Sequence, residues 1–241
     1  MADTLSPEFL KQVVEADKLF RKREYEAAIT LGRSLLEREP NHVPLLRVVG
    51  FALLKVGKAA QARQLFERTL IYDSQKGRAF AAVACTYLAE YRYSEAVNLY
   101  RLASEHGMTA NKDFDDWYKA ERAMGEDGDT ANVMRKAAQL CEFKGSVIPQ
   151  WLERLLSDDE TLDDEVEQII LSRLRQQSRN EDTLSLQIRI LLTRKQFETA
   201  FHELEAYRSE CGHTATWFDL LRAIHRERAL NQIDTPTTYV S

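Results

Sequence analysis

Apolar residues recur at helical spacing along this chain, and a few of them are conspicuously small. In YRYSEAVNLYRLA, residues 91–103, Ala96 lies three residues after Tyr93 and four before Tyr100. All three therefore share one helical face. A small residue between two large ones makes a notch, and a notch predicts something packed closely into it. The arrangement returns with a step of 34 residues: REYEAAITLGRSLL (23–36), GKAAQARQLFERTL (57–70) and YRYSEAVNLYRLAS (91–104) bring Ala28, Ala62 and Ala96 to one position. Twelve residues before each alanine stands another small residue, Ala16, Gly50 or Ala84. Two small positions, one per helix, predict antiparallel helix pairs whose axes approach closely, because bulky side chains there would hold them apart. A fourth copy, RKQFETAFHELEAY (194–207), places Phe197 and Ala200 104 residues after the third.

This pattern resembles the tetratricopeptide repeat. Counted from Phe9, Val43 and Gly77, the small eighth position is Ala16, Gly50 and Ala84, and the large eleventh is Leu19, Leu53 and Tyr87. The small twentieth is Ala28, Ala62 and Ala96. The twenty-fourth, usually aromatic in the family, is Gly32, Phe66 and Tyr100, so Gly32 departs from the pattern. The family's helix-ending proline survives only as Pro40; the third copy offers Gly107 as a C-cap instead. The resemblance implies an all-α, right-handed α-solenoid of antiparallel helix pairs with a C-terminal capping helix.

Three repeats are expected over residues 9–42, 43–76 and 77–110, within a well-formed region spanning 1–108. Residues 109–178 read as two divergent helix pairs. In the first, residues 113–140, a helix, a Gly125/Gly128 loop and a second helix have the length of a repeat but not its small residues in register. In the second, 147–178, the later helix is opened by Thr161 with Asp164 three residues on, a capping-box arrangement. Residues 179–230 hold the last repeat and a capping helix over 215–230, and 231–241 form a polar tail expected to fray.

Composition adds exclusions. The 241 residues are 44% hydrophobic and 29% charged, with only nine Gly and five Pro, which suits a folded helical protein. No segment approaches the ~20 apolar residues of a membrane helix, and MADTLSPEFLKQVVEAD lacks the basic and apolar halves of a secretory signal. Cys85, Cys141 and Cys211 are odd in number and widely spaced, so buried thiols in a reducing cytoplasm are expected. Net charge is −5, divided as +3 over residues 1–108 and −8 over 109–241, which argues against nucleic acid.

Chemistry-bearing constellations are sparse. The acidic run DDETLDDEVE (158–167) lacks the glycine that an EF-hand loop needs at its sixth place, where Asp163 stands. Cys211, His213 and His202 lack a fourth ligand for structural zinc. There is no Gly-flanked nucleophilic serine and no glycine-rich phosphate loop. The expectation is a protein that is not an enzyme and carries no cofactor and no metal.

Family geometry implies a concave face lined by the first helix of each pair. The residues it points there are Val13, Asp17 and Phe20, then Arg47, Phe51 and Leu54, then Arg78, Ala81, Cys85 and Leu88. Such a trough suits another protein's peptide or helical segment with spaced apolar anchors and an acidic group. The family's two-carboxylate clamp for chaperone tails is not met, because Val13, Asp17 and Val48 stand where Lys and Asn are required. An assembly factor, adaptor or chaperone is the expectation. Residues 65–107 also resemble type III secretion chaperones of translocator proteins, and a self-associating scaffold would use the same small-residue surfaces.

Overall fold

The structure, a computed structural model, describes residues 6–141, 164–176 and 180–234. The first helix of the pair expected over 147–178, the Thr161 cap of its later helix and the tail beyond residue 234 lie outside the described residues. Among the described residues every regular element is helical. The helices are α1 (Pro7–Arg21), α2 (Tyr25–Arg38), α3 (Val43–Lys55), α4 (Ala59–Tyr72), α5 (Lys76–Ala89), α6 (Tyr93–Glu105), α7 (Asn111–Ala123) and α8 (Thr130–Leu140). They continue as α9 (Asp164–Gln176), α10 (Glu181–Thr193), α11 (Phe197–Cys211) and α12 (Ala215–Asp234), and a short 3-10 turn, Gly125–Asp127, precedes α8.

Local chemistry explains several boundaries. Ser6 Oγ accepts a hydrogen bond from Phe9 N at 3.2 Å, with Pro7 at the first helical position of α1. His42 Nδ1 accepts from Leu45 N at 3.4 Å to begin α3, and a reciprocal capping box of Asn180 and Thr183 begins α10. The first helix of each early pair ends the same way. Arg23, Gly57 and Tyr91 take left-handed φ values of 66°, 76° and 59°. The next residue then donates back into the last turn, Glu24 to Leu19 O at 3.0 Å, Lys58 to Leu53 O at 2.8 Å and Arg92 to Tyr87 O at 3.0 Å. These are Schellman turns, which satisfy carbonyls that the helix leaves orphaned. Gly125, with φ 65°, stands one further period on, so the 34-residue step persists in the backbone of the fourth pair. Lys195, φ 56°, repeats the turn between α10 and α11.

The chain forms two compact units, Met1–Lys136 and Ala137–Ser241, which divide within α8. In the first unit each helix packs on the next from α1 to α7, and α1, α3, α5 and α7 also lie beside one another. First helices thus form one layer and second helices another. The seats between them are the small residues: Ala16, Ala28, Ala62, Ala84 and Ala96 are completely buried. A Cβ on Gly50 would stand 2.7 Å from Phe66 Cζ, well inside van der Waals contact, so any larger residue there has to displace that ring. Gly32 is explained alike. Val49 occupies the space where the family places an aromatic ring, and a Cβ on Gly32 would collide with its Cγ2.

The fourth pair is built differently. Its eighth position is Tyr118 and its twentieth Thr130. Tyr118, Trp117 and Phe114 are buried, and so is the carboxylate of Glu121. Glu121 accepts from Trp117 Nε1 at 3.0 Å and from Asp129 N at 2.9 Å, with Arg101 at 3.5 Å, which ties the turn before α8 to α7. In the second unit α10 packs on α11, and both pack on α12. Ala200 and Leu204 are buried, and Trp217 of α12 covers that helix, its Nε1 donating to Leu204 O at 3.2 Å. Glu167 of α9 is buried and paired with Arg194 at 2.6 Å.

Candidate functional site

The layer of first helices in the first unit carries two adjoining cavities. One, of about 360 Å³, is lined by Asp17 and Phe20 of α1, by Pro44, Arg47, Val48 and Phe51 of α3, and by residues of the α4–α5 connection. The other, of about 600 Å³, lies against α5, the Gly107–Ala110 connection and the start of α7, where it meets Lys112 and Asp113. Arg47, Phe51, Gln75 and Arg78 line both. The result is a trough across α1, α3, α5 and α7.

Its apolar floor rests on the core. Phe51 is half-buried, with its ring centroid 4.9 Å from that of Phe66, and Phe20 lies 5.7 Å from Tyr25. Both pack against the hydrophobic cluster formed by the first two helix pairs. Its charge is concentrated at the shared wall. Burial and the nearby Arg78 lower the pKa of Arg47, and Asp73 and Asp113 oppose them. Asp113 is pushed up to about 6 by burial and by Asp116, against the pull of Lys112, Arg47 and Arg78. Beneath the trough, Cys85 Sγ lies 3.3 Å from Tyr100 Oη and 3.8 Å from Asp116 Oδ2. Burial raises that thiol to about 11, so it is protonated and unreactive at neutral pH.

The sequence-derived groove residues divide accordingly. Asp17, Phe20, Arg47, Phe51 and Arg78 come together in the trough. Val13 and Leu54 are half-buried against the core cluster, and Leu88 is half-buried on α5. Ala81 and Cys85 are corrected: both are buried inside the helix stack, where the Cys85 thiol lies against Tyr100 of α6 and Asp116 of α7. Asp73, Gln75, Lys112 and Asp113 belong to the trough but were absent from the expectation. Lys112 had a signal, since it stands one 34-residue step after Arg78. Asp73 had a local one: its Oδ1 accepts from Gln75 N at 2.8 Å in the turn that starts α5.

Other features are smaller. A cavity of about 330 Å³ in the second unit lies between the start of α11 and Arg228 and Asn231 of α12. His213 stacks with Phe218 at 5.7 Å and meets Trp217 edge-on at 4.8 Å. Among the described residues no three His, Cys, Asp or Glu side chains are grouped to hold a metal ion, and no helix is long and apolar enough to cross a membrane.

Comparison with known proteins gives the class of fold. A structure described as a functional characterization of Pseudomonas aeruginosa PilF matches with a TM-score of 0.50 and 14% identity, covering 89% of this chain and 97% of that one. A crystal structure of the P58(IPK) TPR domain matches with a TM-score of 0.33 and 16% identity over 95% of this chain and 67% of that one. No protein-family model and no curated protein matches the sequence. The 34-residue period, the paired helices with buried small seats and the first of these likenesses together make this a tetratricopeptide-like fold.

Proposed function

We propose that this protein is a non-catalytic interaction module that grips an extended or helical segment of another protein in the trough of its first unit. Tetratricopeptide-like folds serve generally in protein–protein interaction. The observation that carries the reading is the continuity of the two cavities through Arg47, Phe51, Gln75 and Arg78, an apolar floor beside paired cations. Such a surface binds by desolvating apolar anchors, while the arginines set register. The role that follows is assembly factor, adaptor or chaperone, including one resembling the secretion chaperones of translocator proteins.

Panning a displayed peptide library against the full chain tests this. Selected peptides should lose about 1–3 kcal/mol of affinity on Phe51→Ala. Peptides whose affinity ignores that substitution would put the binding face elsewhere.

A further inference from the structure

We infer that the trough recognises an internal acidic side chain of its partner, an Asp or Glu held between Arg47 and Arg78 with an apolar neighbour seated against Phe51. This rests on the interaction reading above and names the chemistry of the partner. The guanidinium of Arg47 is half-buried, and among the described residues it has neither a hydrogen bond nor an ion pair. Among the described residues Arg78 is held only by the neutral Gln75 Oε1, at 3.1 Å. Arg78 is exposed and faces the same cavity, and the two like charges repel each other.

The carboxylates nearby are largely committed. Asp17 is paired with Arg21 at 2.7 Å, Asp73 accepts from the Gln75 backbone, and Asp116 is paired with Lys112 and Lys119. Asp113 and Asp73 lie near enough to favour the charged form of Arg47, but among the described residues neither is hydrogen-bonded to Arg47 or Arg78. The two guanidinium groups at the shared wall are therefore short of a charged acceptor. A partner carboxylate would supply it, in the forked geometry that guanidinium groups favour.

Position decides the source of that carboxylate. Arg47 and Arg78 line both cavities, so a segment filling the trough continues past them on either side. A chain-terminal carboxylate would stop at the arginines and leave one cavity empty. A side-chain carboxylate within the segment does not.

The test uses the full chain and a displayed library of random peptides, in one arm with free C-termini and in the other embedded within a carrier loop. Embedded peptides should be enriched in Asp or Glu within a few residues of Leu, Ile or Phe. In synthetic copies, changing that Glu to Gln should weaken binding at least tenfold, with wild-type protein throughout. Arg47→Gln with Arg78→Gln, its helicity checked by circular dichroism, should abolish the acidic preference; restoring both positions as Lys should return part of it. Enrichment confined to free C-termini overturns the inference. So does selection of Phe51-dependent peptides without an acidic residue, which would leave the interaction reading intact. Peptides indifferent to Phe51 and to both arginines would sink the two together.

Discussion

The α5–α6 pair and the α7–α8 pair occupy successive periods of the same sequence but fill the seat positions with side chains of different size. In the former, Ala84 and Ala96 are fully buried seats, and the two helices lie in close contact. In the latter, Tyr118 and Thr130 hold those positions, and Tyr118 is buried where the earlier pairs bury an alanine or a glycine. Side chains of aromatic size fill the space, and a buried carboxylate organises the turn. A period in chain length and turn geometry therefore outlives the side-chain signature that first reveals it. Gly125 keeps the left-handed turn of Arg23, Gly57 and Tyr91 after the alanines are gone.

Either half of this contrast can be perturbed. Trp117→Ala should have the largest effect, about 3–5 kcal/mol in chemical denaturation, because it empties a fully buried site and removes a hydrogen bond to Glu121. Gly50→Ala should cost about 1–3 kcal/mol by the same measurement, since the added methyl must displace the Phe66 ring.

A third change probes the electrostatic side. Asp113 titrates at about 6 in the folded chain, against an ordinary carboxylate value near 3.8, under the opposed influence of Lys112, Asp116, Arg47 and Arg78. Its raised pKa means that the folded state binds the proton more tightly. Stability from this group is full below about pH 4 and is lost as pH rises through 6. Asp113→Asn should match the wild type near pH 4 and exceed it by about 1–3 kcal/mol at pH 7, read from denaturation midpoints across that range.

The smallest effect belongs to the turns. Tyr91 is 78% exposed and strained at φ 59°, so Tyr91→Gly should stabilise by about 0.5 kcal/mol. Gly57→Ala, in the equivalent turn, should cost about 1 kcal/mol. Both are readable as shifts in thermal midpoint.

How much of this was legible follows from the same contrast. Small residues at a fixed period are a local consequence of close packing, so the first three pairs could be read from the sequence, while Arg47, Phe51 and Arg78 were named by the geometry that the family resemblance implies. The burial of Cys85 could not be read, because it depends on Tyr100 of α6 and Asp116 of α7 meeting its thiol, and α7 carries no small-residue mark. Asp113 escaped for a related reason. An aspartate in the first turn of a helix reads as an ordinary dipole partner, and only tertiary placement turns it toward two arginines.

The seats themselves can be put to the proof at Ala96, replaced in turn by Gly, Val and Leu and followed by chemical denaturation. With this residue fully buried against its partner helix, stability should peak at Ala and fall with each enlargement, the Ala96→Leu change costing about 1–3 kcal/mol or more. An Ala96→Leu protein as stable as the original would show that the helices do not nest there, and the trough built on that nesting would lose its foundation.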